Sequence, residues 1–125
     1  MILDTNGLSA LADGEPRVEL FLQRADEIAI PAVVLGEYKY GLRQSRNRTR
    51  HERWLVTFLG GCRVLAVDEG TAERYAEIRD ELKRIGRPIP ANDVWIAALA
   101  RQHALPVLSR DKHFDSVAGL TRIGW

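Results

Sequence analysis

A chain of 125 residues is long enough to enclose one hydrophobic core and too short for two ordinary domains. Its 46% apolar and 28% charged residues make a globular composition, and no apolar run is long enough to cross a bilayer. A formal net charge of +1 does not mark the chain as a whole as a nucleic-acid binder, and a single cysteine, Cys62, excludes an internal disulfide framework or a cysteine-rich zinc site.

Apolar runs alternate with helical patterns along the chain. Met1 to Asp4 reads as a short buried strand with no basic leader or cleavage site around it, so a cytoplasmic protein is expected. A turn through Thr5, Asn6 and Gly7 leads to a short helix near Leu8 to Ala12. After Asp13-Gly14-Glu15, Pro16 suits a first helical position, and Val18, Phe21, Leu22 and Ala25 follow at helical spacing. Glu27 to Ile30 is a second strand stopped by Pro31, and a helix runs from about Pro31 to Gln44. An amphipathic helix carrying Trp54, Leu55, Phe58 and Leu59 ends at Gly60-Gly61.

Cys62 opens the next strand-like run, where a buried structural thiol is expected. Arg63 to Val67 is a third strand, its apolar content supplied by Val64, Leu65 and Val67. Tyr75, Ile78, Leu82 and Ile85 recur at steps of three and four, which predicts a helix over Thr71 to Ile85 that Gly86 and Pro88 stop. Asn92 to His103 forms another helix, Pro106 to Ser109 a fourth strand, and Thr121 to Trp125 a fifth at the sheet edge. Strands alternating with helices predict one α/β domain over residues 1–125, in three layers, with a central and mostly parallel sheet of about five strands.

Four carboxylates stand where strand gives way to helix or beside apolar sequence: Asp4, Glu37, Asp93 and Asp111. Ligands of such sheets bind outside the carboxyl ends of the strands, so Asp4, Asp93 and Asp111 should gather at one edge. Glu37 falls at helical spacing from Val33, Val34 and Gly41, on the stripe expected to pack inward, and Gly41 leaves room beside it. Unpaired buried acids are costly, so a hydrated divalent cation such as magnesium or manganese is expected among them, with Asp4 and Asp93 as its principal ligands. Each acid also has a local alternative. Asp4 can cap a helix, Asp93 can face a helix dipole, Asp111 can start a turn, and Glu37 can pair with an arginine.

Thr5, Asn6, Asn92 and Ser109 are candidates to hydrogen-bond the acids or a phosphate. Arg43, Arg46, Arg50 and Arg53 would form one stripe on a continuous helix, either a solvated face or a phosphate-contacting one, with Asn47 and Thr49 as possible interruptions. Arg110 is a further phosphate candidate. His51 and His113, lacking a matched partner in sequence, read as surface or packing residues.

Asp4-Thr5-Asn6 after an opening hydrophobic strand, Glu37 followed by Gly41, Asn92-Asp93 leading into Val94-Trp95-Ile96-Ala97-Ala98, and Leu108-Ser109-Arg110-Asp111 followed by Phe114 together resemble the PIN domain, and within it the VapC-type toxins of prokaryotic toxin–antitoxin pairs. The resemblance spans essentially the whole chain and implies a magnesium- or manganese-dependent endoribonuclease with Asp4, Glu37, Asp93 and Asp111 as its acidic quartet. Ser109 stands where the family usually has threonine. Some members carry an acid directly before the phenylalanine, where this chain has His113, so Asp115 is kept as an alternative to Asp111. A cognate antitoxin covering the active-site groove and a homodimer are implied as well.

Two other readings fit less of the sequence. A phosphoacceptor receiver domain would use Asp68 after the third strand and Lys112 after the fourth, leaving Glu37 and Asp93 unexplained. A non-catalytic interaction module would use the acidic pocket to grip arginines of a partner.

Overall fold

A computed structural model describes residues 1–125. The chain runs through β1 (Ile2–Leu3), α1 (Thr5–Ala12), α2 (Pro16–Arg24), β2 (Ala29–Pro31), α3 (Ala32–Arg43), α4 (Arg48–Leu59), β3 (Arg63–Leu65), α5 (Glu69–Arg84), α6 (Ala91–His103), β4 (Val107–Leu108), a 3-10 turn (Lys112–Ser116) and β5 (Arg122–Ile123). The five strands form one parallel sheet in the order β3-β2-β1-β4-β5. Helices flank it, α1 to α4 packing among themselves and α5 against α6.

That order follows from sequence. Ile2 and Leu3, like Val107 and Leu108, are apolar without alternation and have no exposed surface, as strands covered on both faces require. The edge strand β3 leaves Val64 48% exposed, and Val67, expected within it, lies beyond its end at 41%. Successive strands step one way from β1 to β3, then cross back to β4 and on to β5. The reversal between β1 and β4 is the switch point at which such sheets open a crevice.

Local chemistry sets the helix ends. Thr5, Asn6 and Gly7, expected as a turn, are the first turn of α1, because Asp4 accepts a 2.7 Å hydrogen bond from the Gly7 amide and so caps the helix. A Cβ on Gly7 would lie 3.1 Å from the Leu108 carbonyl oxygen and 3.3 Å from Asp4 Oδ1, so the lack of a side chain there lets α1 close onto β4. Asp68 and Thr71 form a reciprocal capping box that starts α5. Helix α6 buries Val94 and every residue from Ile96 to Ala100, which holds Asp93 in its first turn against the core.

Two further expectations change in detail. The arginine stripe is not continuous, since α3 ends at Arg43 and α4 begins at Arg48, leaving Arg46 in the connection. Cys62 is half-buried, its thiol donating to the Phe58 carbonyl at 3.3 Å, and burial pushes its pKa up.

Candidate active site

At the carboxyl ends of β1 and β4 the chain brings Asp4, Asp93 and Asp111 together. Asp4 follows β1 directly and is 4% exposed; its Oδ1 caps α1, while its Oδ2 accepts the hydroxyl proton of Ser109. Ser109 is wholly buried, and its Oγ also accepts the Asp111 amide at 2.8 Å, so one hydroxyl ties the first strand to the fourth. Asp111 Oδ1 accepts the His113 amide at 2.9 Å and thereby starts the 3-10 turn. Asp93 reaches the same place from the first turn of α6.

The electrostatics are those of a crowded anionic site. Burial raises the pKa of Asp4, and the charges of Asp93 and Asp111 raise it further, against the lowering effect of the Ser109 and Gly7 hydrogen bonds. Burial also raises Asp93, with Asp111 adding repulsion and His113 opposing it. A folded chain that holds buried acids against their own repulsion has a place for a cation.

His113, expected to be a bystander, is part of this cluster. Its Nδ1–H lies 3.0 Å from Asp93 Oδ2 and 3.0 Å from Asp111 Oδ1, and the hydrogen bond to Asp93 is the main cause of its raised pKa. Ligating atoms of Asp93, Asp111 and His113 all fall within 4.8 Å of one another. The signal in the sequence was the Asp111-x-His113 spacing at the start of a tight turn, where the acid caps the amide of the histidine and turns the ring back over the carboxylates.

Glu37 reaches the site differently from expectation. The buried residues of α3 are Val34, Tyr38 and Leu42, successive steps of four, so Glu37 falls outside the inward stripe and is exposed. Its Oε2 accepts the Thr5 hydroxyl at 2.6 Å, which links it to the residue next to Asp4. Asn6 is exposed and Asn92 half-buried, and neither side chain hydrogen-bonds an acid.

Asp115 is not brought to the cluster. Arg122 donates to both of its oxygens, at 2.8 and 3.0 Å, and holds its pKa below the usual carboxylate range. Arg110 is exposed, with its guanidinium 5.1 Å from the centre of the Trp125 ring. Arg43, Arg46, Arg50 and Arg53 are exposed and make no ion pair.

The geometry removes the receiver reading. Asp68 follows the edge strand β3 instead of a central one, and its carboxylate already accepts the Thr71 amide at 3.0 Å and the Gln102 amide at 2.8 Å. Those bonds, the Thr71 amide foremost, keep its pKa low, as suits a helix cap.

Comparison with known proteins identifies the family. The PIN domain family model matches residues 1–120. Ribonuclease VapC5 of Mycobacterium tuberculosis is 30% identical over 124 residues, covering 98% of this chain and 90% of that protein. The tRNA(fMet)-specific endonuclease VapC of Shigella flexneri is 31% identical over 127 residues, covering 99% and 96%. Among solved structures, VapBC2 from Rickettsia felis bound to a DNA fragment from its promoter superposes with a TM-score of 0.89 at 25% identity, covering 99% of this chain and 97% of that one. With the family model and whole-length relatives in agreement, the chain belongs to the PIN domain family.

Proposed function

We propose that the protein is a metal-dependent endoribonuclease and the toxin of a toxin–antitoxin pair. The observation that carries this reading is the convergence of Asp4, Asp93 and Asp111 at the β1/β4 switch point, in a chain whose whole-length relatives include named ribonucleases.

The residues fit magnesium or manganese. They offer hard carboxylate oxygens, and burial together with charge repulsion, from Asp93 and Asp111 on Asp4 and from Asp111 on Asp93, raises both acids in a way a divalent cation relieves. Asp4 and Asp93 are the principal ligands in this reading, with Asp111 beside them. The chemistry such an ion supplies is activation of a water nucleophile and neutralisation of charge on the scissile phosphodiester.

The other residues hold this arrangement in place. Ser109 fixes the Asp4 carboxylate, and its second bond to the Asp111 amide keeps the two acids in register. Thr5 orients Glu37, whose exposed carboxylate faces incoming substrate. His113 balances charge between Asp93 and Asp111 before substrate and metal arrive. The unpaired arginines around the α3–α4 connection supply phosphate contacts for the RNA strand.

A cognate antitoxin belongs to the same reading. Leu20, Tyr40 and Val56 leave 53%, 68% and 75% of their surface exposed on α2, α3 and α4, apolar side chains that a protein partner would cover. A homodimer aligning two acidic sites, and action in the cytoplasm where RNA is met, complete it. No helix is long and apolar enough to cross a membrane.

The deciding experiment incubates purified protein with RNA, with and without a chelator, beside Asp4→Asn and Asp93→Asn variants checked for fold by circular dichroism. Cleavage that needs metal and is lost in both folded variants is expected. Undiminished cutting by both variants overturns the assignment.

A further inference from the structure

Between α1, α3 and the start of α4 lies a cavity of about 300 Å3, in which Tyr38, Gly41 and His51 have no part in the chemistry of the acids. Thr5, the residue after Asp4, lines it together with Glu37, to which it donates a hydrogen bond, so the cavity lies one residue along the chain from the cluster. Tyr38 is 6% exposed and lines this cavity, and its buried hydroxyl has no hydrogen-bond partner. His51 Nε2, from α4, is buried there without a partner too, stopping 3.9 Å from Asp13 Oδ1. Native proteins seldom leave two buried polar atoms unsatisfied side by side unless something else completes them. Gly41 lines it too, and a Cβ there would meet no atom within 4 Å, so a larger side chain at this position has room to enter the space.

We propose that this cavity receives one base of the bound RNA, flanking the scissile phosphate, and that the base carries an exocyclic amino group; the inference rests on the ribonuclease reading. Charge separates base from backbone. The ionisable walls include Asp13 and Glu37, which repel a phosphate and accept hydrogen bonds from an amino group. Outside, Arg43, Arg46 and Arg50 stand next in sequence to the cavity residues Leu42, Ser45 and His51, exposed and unpaired, where a phosphate backbone would run. The Tyr38 hydroxyl and His51 Nε2 then meet ring nitrogens or carbonyls of the same base. Adenine, cytosine and guanine carry the amino group, and uracil lacks it.

The test titrates the whole protein with AMP, CMP, GMP and UMP and follows the Tyr38 and His51 side-chain resonances. At least one amino-bearing nucleotide should shift both signals and bind about tenfold more tightly than UMP. Gly41→Leu should fill the space and abolish those shifts while manganese binding to the acids stays as in the parent. Tyr38→Phe should narrow the preference. Equal binding of UMP, or nucleotide shifts that survive Gly41→Leu, overturns the inference. So does a response of Tyr38 and His51 to free arginine alone, which would assign the cavity to a cationic side chain of a protein partner. Metal-dependent cutting without any base binding here overturns this inference alone. Base binding in a chain that cuts no RNA instead overturns the ribonuclease reading.

Discussion

Ser109 donates its single hydroxyl proton to Asp4, a residue 105 positions away, while its oxygen accepts the amide of Asp111. Asp4 is buried and the Asp111 amide partly so, and Ser109→Ala leaves a carboxylate oxygen and an amide short of a partner. A loss of about 1–3 kcal/mol is expected in chemical denaturation of the metal-free protein. Because Ser109 lowers the Asp4 pKa, the same variant should also bind manganese more weakly, which calorimetric titration measures.

Asp93→Asn removes one of the charges that repel Asp4 and Asp111. The metal-free variant should therefore melt at a higher temperature than the parent near neutral pH, although cleavage falls by about a hundredfold or more. A lower melting temperature would show that the His113 contact outweighs the repulsion.

The pH response of the metal-free protein should run against the usual trend for acids. Asp4 and Asp93 have folded pKa values above their unfolded ones, so the folded state binds protons more readily and stability rises as pH falls through the folded values toward 3.8. His113 adds to this. Its folded pKa is raised, so its contribution is complete below 6.5 and disappears as pH climbs through the folded value. Thermal melts between mildly acidic and neutral pH should show the metal-free chain gaining stability on acidification, and added manganese should reverse the slope.

Asp111→Asn and Asp115→Asn separate the two candidates for the fourth acid. The first touches the cluster and should weaken metal binding. The second breaks a half-exposed pair with Arg122, worth up to about 1 kcal/mol, and should leave metal binding as it is. Manganese titration of both variants decides between them.

Changing Arg43, Arg46 and Arg50 together to glutamine should weaken RNA binding and flatten its dependence on salt, by about 0.7 in the logarithmic slope for each lost phosphate contact on a single strand. The acids are untouched, so metal affinity should not move. Filter binding of RNA to a cleavage-silent Asp4→Asn background at several salt concentrations reads this out.

The sheet and the acids were legible because both follow from short-range rules. Short uninterrupted apolar pairs such as Val107-Leu108, bounded by Pro106 and Ser109, read as doubly covered strands, and an acid directly after such a strand falls at the crevice. Side-chain direction was less legible. Glu37 was expected inward from its spacing to Val33 and Val34, but Tyr38 and Leu42 took the buried face and turned it outward. The role of His113 depends on a 3-10 turn five residues long, which carries no periodicity to read. The cavity beside Tyr38 and His51 needs three helices placed in space, and no local pattern announces it.

Strand β1 lies in the middle of the sheet, flanked by β2 and by β4, whose residues come about a hundred positions later. During synthesis, Asp4 leaves the ribosome long before Ser109 and Asp111 exist to meet it. The acidic site therefore cannot assemble until β4 has been made and has paired with β1, which makes it one of the last features of the fold to form.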